Sequence, residues 1–240
     1  MTRVSAIAVL TLVWAGVCRA EEAWTTVVTG PVTVKNRALP GSPIKEVWAE
    51  GEIDAPLIDV QDALMNVPRL RSFMPYMKDA RIIGEHPEDQ SVFIYTLIDL
   101  PVVGKRDYIT QLWQPQAVKP DGTGTFEARW VARPNYTPLR ADIIRLKTND
   151  GMWLATAREN GKTWLVHKFA VDPGGWVPAF AANLGNEKGV TDTYKNVERE
   201  AQKRMRSAWP PNPRQSRRRS HLSLPPLPRP APPDDDGGHA

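Results

Sequence analysis

The chain has 240 residues, one cysteine, nine tryptophans and a formal net charge of +4. Arg3 and Arg19 lie before residue 21, and residues 209–240 hold five arginines against three aspartates. Residues 21–208 are therefore neutral, which excludes the basic footprint of a nucleic-acid binder. The one thiol, Cys18, leaves with any cleaved leader, so neither disulfides nor thiolate chemistry are expected in the remainder.

In chain order, Thr2 and Arg3 precede an apolar run over 4–17, followed by Cys18, Arg19 and Ala20. A run of about 14 apolar residues falls short of the ~20 that a spanning helix needs, so 1–20 is predicted to be a secretory signal peptide cut before Glu21. Export of this kind implies a periplasmic or secreted location in a bacterial envelope. Residues 21–36 look extended. Residues 32–36 and 44–53 read as strands joined by the Pro40, Gly41, Ser42, Pro43 turn. After Asp54, a candidate cap, Pro56, Leu57, Val60, Ala63, Leu64 and Val67 recur at helical spacing and predict a short helix ending near Pro68.

Strands return at 81–85, 92–100, 107–114, 123–131, 140–147, 152–159 and 163–171. Turns are expected at Pro120–Asp121–Gly122, Asn149–Asp150–Gly151 and Asn160–Gly161. Consecutive hairpins predict an antiparallel sheet. A glycine- and proline-rich turn follows, and then a helix over 177–208 with Val190, Tyr194, Val197, Ala201 and Met205 on one face. Residues 209–240 carry nine of the 23 prolines together with the Arg217, Arg218, Arg219 run. This tail is expected to be disordered, because it has too little apolar surface to offset its ordering entropy. A sheet of roughly eight strands with one long helix must curl to bury its apolar face, and a helix does not fill the whole concavity. The space left over is a pocket; an open sheet with a fully packed core fits the same pattern.

Three segments occur in a telling order. They are 44–55 (Ile-Lys-Glu-Val-Trp-Ala-Glu-Gly-Glu-Ile-Asp-Ala), 100–108 (Leu-Pro-Val-Val-Gly-Lys-Arg-Asp-Tyr) and 161–176, which runs from Gly-Lys-Thr to Asp-Pro-Gly-Gly-Trp and leads into Val-Pro-Ala-Phe. In these the chain resembles the START family of lipid-transfer domains, in its exported bacterial branch, from about Trp24 to Lys203. It departs from that pattern in lacking a long helix before the first strand. The resemblance implies an α+β helix-grip fold: a curved antiparallel sheet wrapped around a long C-terminal helix, with an internal hydrophobic tunnel for one lipid or sterol. The terminal helix and the turn at Pro173, Gly174, Gly175 and Trp176 would form the gate.

Alternation along the strands sets Ile94, Thr96 and Ile98 against Asp99, and Thr110 and Leu112 against Gln111. It likewise sets Trp130 with Phe126, Ala128 and Ala132 against Glu127, Arg129 and Arg133. The expected ligand contacts are these inward residues (Ile94, Thr96, Ile98, Thr110, Leu112, Trp130) with His167, Phe180, Leu184 and Tyr194. Trp113, Trp153 and Trp164 also fall on strands, where they could line a tunnel or simply pack the core. Arg106 and Asp107 point to opposite faces, either to close a sheet edge or to orient a headgroup.

No Gly-x-Ser-x-Gly elbow, phosphate-cradling glycine loop or His-Glu-x-x-His motif occurs. Of four histidines only His167 falls on an expected strand, as a structural residue, a ligand hydrogen-bond partner or a base. No catalytic residue, metal or cofactor is expected. The reading is thus a monomeric, non-enzymatic carrier of one apolar ligand, with transient membrane-surface contact and no nucleic acid. Two alternatives stay open. One is a cyclase or hydrolase using His167, Tyr108 or Tyr194. The other is a ligand sensor whose Leu224-Pro225-Pro226-Leu227-Pro228 segment binds a partner.

Overall fold

A computed structural model describes residues 23–42, 44–101, 103–175 and 188–207. The expected signal peptide, the tail, and the gate and ligand residues Trp176, Phe180 and Leu184 lie outside them. Ten strands form one sheet: β1 (Thr25–Val28), β2 (Val32–Ala38), β3 (Lys45–Ile53), β4 (Met77–His86), β5 (Ser91–Leu100), β6 (Gly104–Gln116), β7 (Thr125–Ala132), β8 (Ile144–Arg145), β9 (Asn149–Ala157) and β10 (Thr163–Val171). Helices α1 (Leu57–Met65) and α2 (Val67–Leu70) follow β3, and α3 (Gly189–Ser207) follows β10.

The sheet order is β1-β2-β3-β10-β9-β7-β6-β5-β4, with β8 attached to β6. All pairings are antiparallel except β6 with β8, which is parallel. The chain thus leaves the sheet after β3, crosses it with two short helices and re-enters at the far edge, and the last strand returns beside β3. This makes the molecule the helix-grip sheet that the resemblance implies.

Period-two alternation fixes the two faces. On β10, Thr163 and Leu165 turn inward with Val47, Ala49 and Ile53 of β3 and Val32 and Val34 of β2. They meet Leu57, Val60, Ala63 and Leu64 of α1 and Val190, Tyr194, Val197 and Ala201 of α3 in one buried core. The α3 set falls at i, i+4, i+7 and i+11, the stripe of an amphipathic helix. Tyr194 is 1 % exposed, and its hydroxyl shares one proton between the carbonyls of Ala49 at 2.8 Å and Leu165 at 3.0 Å. That commits its polar end to the β3–β10 seam.

Four expectations are corrected. The strand at 140–147 is only the two residues of β8, because Arg145 is drawn to both carboxylate oxygens of Asp107 (2.6 and 3.1 Å) and to the Pro134 carbonyl (2.6 Å). These contacts hold 133–147 as a loop over the convex face. Asn149–Asp150–Gly151 is not a turn but the start of β9, with Asn149 and Gly151 on the concave side. Helix α1 is capped at Pro56 rather than Asp54, whose N–H and carbonyl are taken by Glu198 and Gln202 of α3. Trp113 and Trp164 lie on the convex side, since they register with Ser91 and with Glu52 and Thr156.

Candidate functional site

Beyond the packed core, the same concave face continues toward the turn between β5 and β6. The register puts Ile94 beside Thr110, Thr96 beside Tyr108 and Ile98 beside Arg106, while Val92, Leu112, Trp130, Gly151 and Phe169 form a cross-strand row. Ile94, Thr96, Ile98, Thr110, Leu112, Trp130 and His167, predicted as ligand contacts, therefore share one face. Helix α3 packs on α1, β3 and β2, α1 reaches β7 and β9, and α2 lies on β4. Ile94 and Leu112 pack with Val67 of α2 and Ala80 of β4 in a second, smaller cluster.

The centre of this face is aromatic. The His167 ring stacks on Trp153 with centroids 3.6 Å apart and 17° between planes; Phe169 lies 4.4 Å and Trp130 5.9 Å from it. Gly151 makes the arrangement fit. A Cβ there would sit 2.5 Å from Cζ2 of Trp130 and 2.6 Å from the Lys168 carbonyl. Only a residue without a side chain lets the Trp130 ring lie across β9.

Burial pushes the pKa of His167 down to about 3. Its Nδ1 has no hydrogen-bond partner. A buried nitrogen of this kind costs free energy unless something fills its hydrogen-bonding capacity. As whole residues His167, Tyr108, Trp130, Trp153 and Phe169 are partly buried.

Polar groups are few and grouped. Trp130 Nε1 donates to Asn149 Oδ1 at 3.2 Å. The Tyr108 hydroxyl lies beside Thr96 and Asn149, and burial pushes its pKa up. Where the β5–β6 turn meets residues 172–175, the Arg106 Nε donates to the Pro173 carbonyl at 3.3 Å. Burial lowers its guanidinium pKa. Gly174 and Gly175 both adopt φ of +62°, and Gly174 N donates to Asp172 Oδ1 at 2.9 Å. Their bare Cα atoms lie against Ile144: a Cβ on either would approach its side chain to 3.0 or 3.1 Å.

Tyr194 is thus set apart from the other predicted contacts by its commitment to the core. Trp153, Phe169, Asn149, Tyr108 and Arg106 join them on the concave face, although they were not among the predicted contacts. The signal for Trp153 and Phe169 was alternation: each stands at even spacing from inward residues of its own strand. Among the described residues no group of three or more His, Cys, Asp or Glu side chains is placed to hold a metal ion. No described helix is long and apolar enough to cross a membrane.

Neither a family profile nor a curated protein matches the chain in sequence. Solved structures do match in shape. A STAR-related lipid transfer protein fragment from Xanthomonas axonopodis superposes with a TM-score of 0.64 at 23% identity, covering 75% of this chain and 98% of its own. Human STARD10 gives 0.67 at 18% identity, covering 88% of this chain and 86% of its own. An aromatase/cyclase, Zhui of Streptomyces, gives 0.50 at 16% identity, covering 69% of this chain and 98% of its own. The chain therefore has the START-type fold, whose representatives include lipid-transfer proteins and a cyclase.

Proposed function

We propose that this protein is a non-enzymatic carrier, exported to the bacterial envelope by residues 1–20, that holds one lipid or sterol-like molecule in the concavity of its sheet. It acts as a monomer with transient membrane contact, and the turn at 173–176 and the terminal helix form its gate. The observation that carries this reading is the aromatic wall of Trp130, Trp153, His167 and Phe169, which cluster on the concave face and are only partly buried by the rest of the protein. Such a wall gives apolar contact to a ligand, with a few polar groups to orient it. At about 0.8 kcal/mol per buried methylene, a ~16-carbon chain costs roughly 13 kcal/mol to expose to water, so shielding alone makes transfer useful.

The cyclase likeness suggests His167 as a base, but its chemistry argues otherwise. A general base works best with a pKa near the operating pH. His167 sits at about 3, and no carboxylate is among its ring neighbours. It is suited to hydrogen-bond a ligand as a neutral imidazole. Transfer of a fluorescent lipid between donor and acceptor vesicles tests the proposal: a rate above the spontaneous one, with the lipid recovered unchanged, is expected. Absence of transfer by folded protein, or a converted ligand whose conversion stops in His167→Ala, would refute it.

A further inference from the structure

Arg106 is the largest fully enclosed side chain among the described residues, at 1 % exposure. It stands on the concave face beside Ile98 and two residues before Tyr108. Its Nε donates to the Pro173 carbonyl, and its Nη1 to the carbonyls of Val103 and, at 3.2 Å, of Gly104. All three acceptors are neutral. Its chain neighbour Asp107 points to the other face, where Arg145 takes both carboxylate oxygens. No carboxylate among the described residues pairs with Arg106, and none of their oxygens accepts from its Nη2.

A guanidinium presents five N–H donors and a permanent charge. Here three donors are used and two are left, and no anion among the described residues offsets the charge. Burial of a cation is costly unless an opposing charge and enough acceptors replace its lost hydration. The missing complement is specific: an anion with oxygens that meet the remaining edge of the fork, as a carboxylate or phosphate does.

We infer that the ligand is an anionic amphiphile, whose carboxylate or phosphate head meets the open Nη2 edge of Arg106 while its apolar body lies over Leu112, Trp130 and Phe169. This rests on the carrier reading of the concavity and narrows it to a charge class. Because the same guanidinium holds Pro173, the head binds where the 172–175 turn is tethered.

Three probes of equal chain length separate the possibilities: hexadecanoate, hexadecyl phosphate and hexadecanol. Each is titrated by calorimetry into the full chain at pH 8, below its aggregation threshold. At least one anionic probe is expected to bind at least about tenfold tighter than the alcohol, the scale of a charge-assisted hydrogen bond. The stronger of the two anions identifies carboxylate or phosphate as the preferred head. The advantage should fall about threefold in Arg106→Lys, which keeps the charge but loses the fork, and vanish in Arg106→Gln. Equal binding of all three probes by wild type would overturn the inference and leave the carrier reading standing. An advantage that survives intact in both variants would also overturn it, since the charge would then be read elsewhere. If no probe binds folded wild-type protein, the carrier reading fails and the inference with it. Circular dichroism establishes folding; should Arg106→Gln not fold, the wild-type comparison and Arg106→Lys still decide.

Discussion

The concave face has two ends built on one alternation and filled to different ends. Under α1 and α3, Ala49, Phe126, Ala155, Leu165 and Val197 are fully buried in a continuous core. Toward the β5–β6 turn the same strands present Thr96, Arg106, Tyr108, Thr110 and Asn149 beside partly buried aromatic residues. The first end is closed by its own side chains, with the buried Glu200 Oε1 of α3 held by the Arg69 guanidinium. The second holds an imidazole nitrogen without a hydrogen-bond partner and an arginine that no acid among the described residues pairs, costs that the proposed carrier would retain in order to meet its ligand. On the proposed reading, stability and recognition are separated along the strands, and substitutions at the two ends should have separable effects.

The largest expected effect falls on the packed end. Phe126→Ala leaves a cavity in a fully buried site and should cost about 3–5 kcal/mol in denaturant unfolding. The relative affinities of the variant's folded fraction for probe ligands should stay as in wild type; a changed ligand preference would break the separation. Next comes His167. Its folded pKa of about 3 lies below the unfolded value, so its neutral ring contributes fully above the unfolded pKa. As pH falls from about 6.5, the unfolded chain takes up a proton that the folded chain refuses, and by pH 4.5 about 2–3 kcal/mol is lost. His167→Phe should remove that part of the acid slope, measured by urea unfolding at pH 7 and pH 4.5. An unchanged slope would mean that the ring is not shielded.

Gly151→Ala tests whether the recognition end can be disturbed by itself. The added Cβ meets Trp130 and the Lys168 carbonyl, so a loss of about 1–3 kcal/mol is expected, with a shift in indole fluorescence as Trp130 moves. A smaller effect is expected at the proposed gate. Gly174→Ala places a side chain at φ of +62° against Ile144 and should cost about 1 kcal/mol, while changing the vesicle-transfer rate more than Phe126→Ala does. Transfer that responds to Phe126→Ala but not to Gly174→Ala would reverse the assignment of the two ends.

Much of this was legible in the residues. Alternation at 94–98, 110–112 and 126–132 named the inward side, and the helical stripe named the buried face of α3 from Val190 to Ala201, whereas Met205, expected on the same face, is exposed where the helix runs past the core. Asn149–Asp150–Gly151 misled, because the local turn chemistry is that of a hairpin, whereas the sheet uses Gly151 for a close ring approach and Asn149 to accept from Trp130. The 140–147 segment also misled: strand-forming Ile143 and Ile144 suggested a strand, but the pull of Asp107 on Arg145 is tertiary and has no local signature. The parity of Trp113 and Trp164 needed the register of their partners. Arg106 could be placed on one of two faces, but the absence of an acid beside it emerges only in three dimensions.

The central claim is that one apolar molecule occupies the recognition end. Native mass spectrometry of the protein purified from its own cells tests this most directly. A single adduct of lipid mass per chain, lost on denaturation, is the expected result. A ligand-free protein that also takes up no lipid when incubated with extracts of those cells would contradict it.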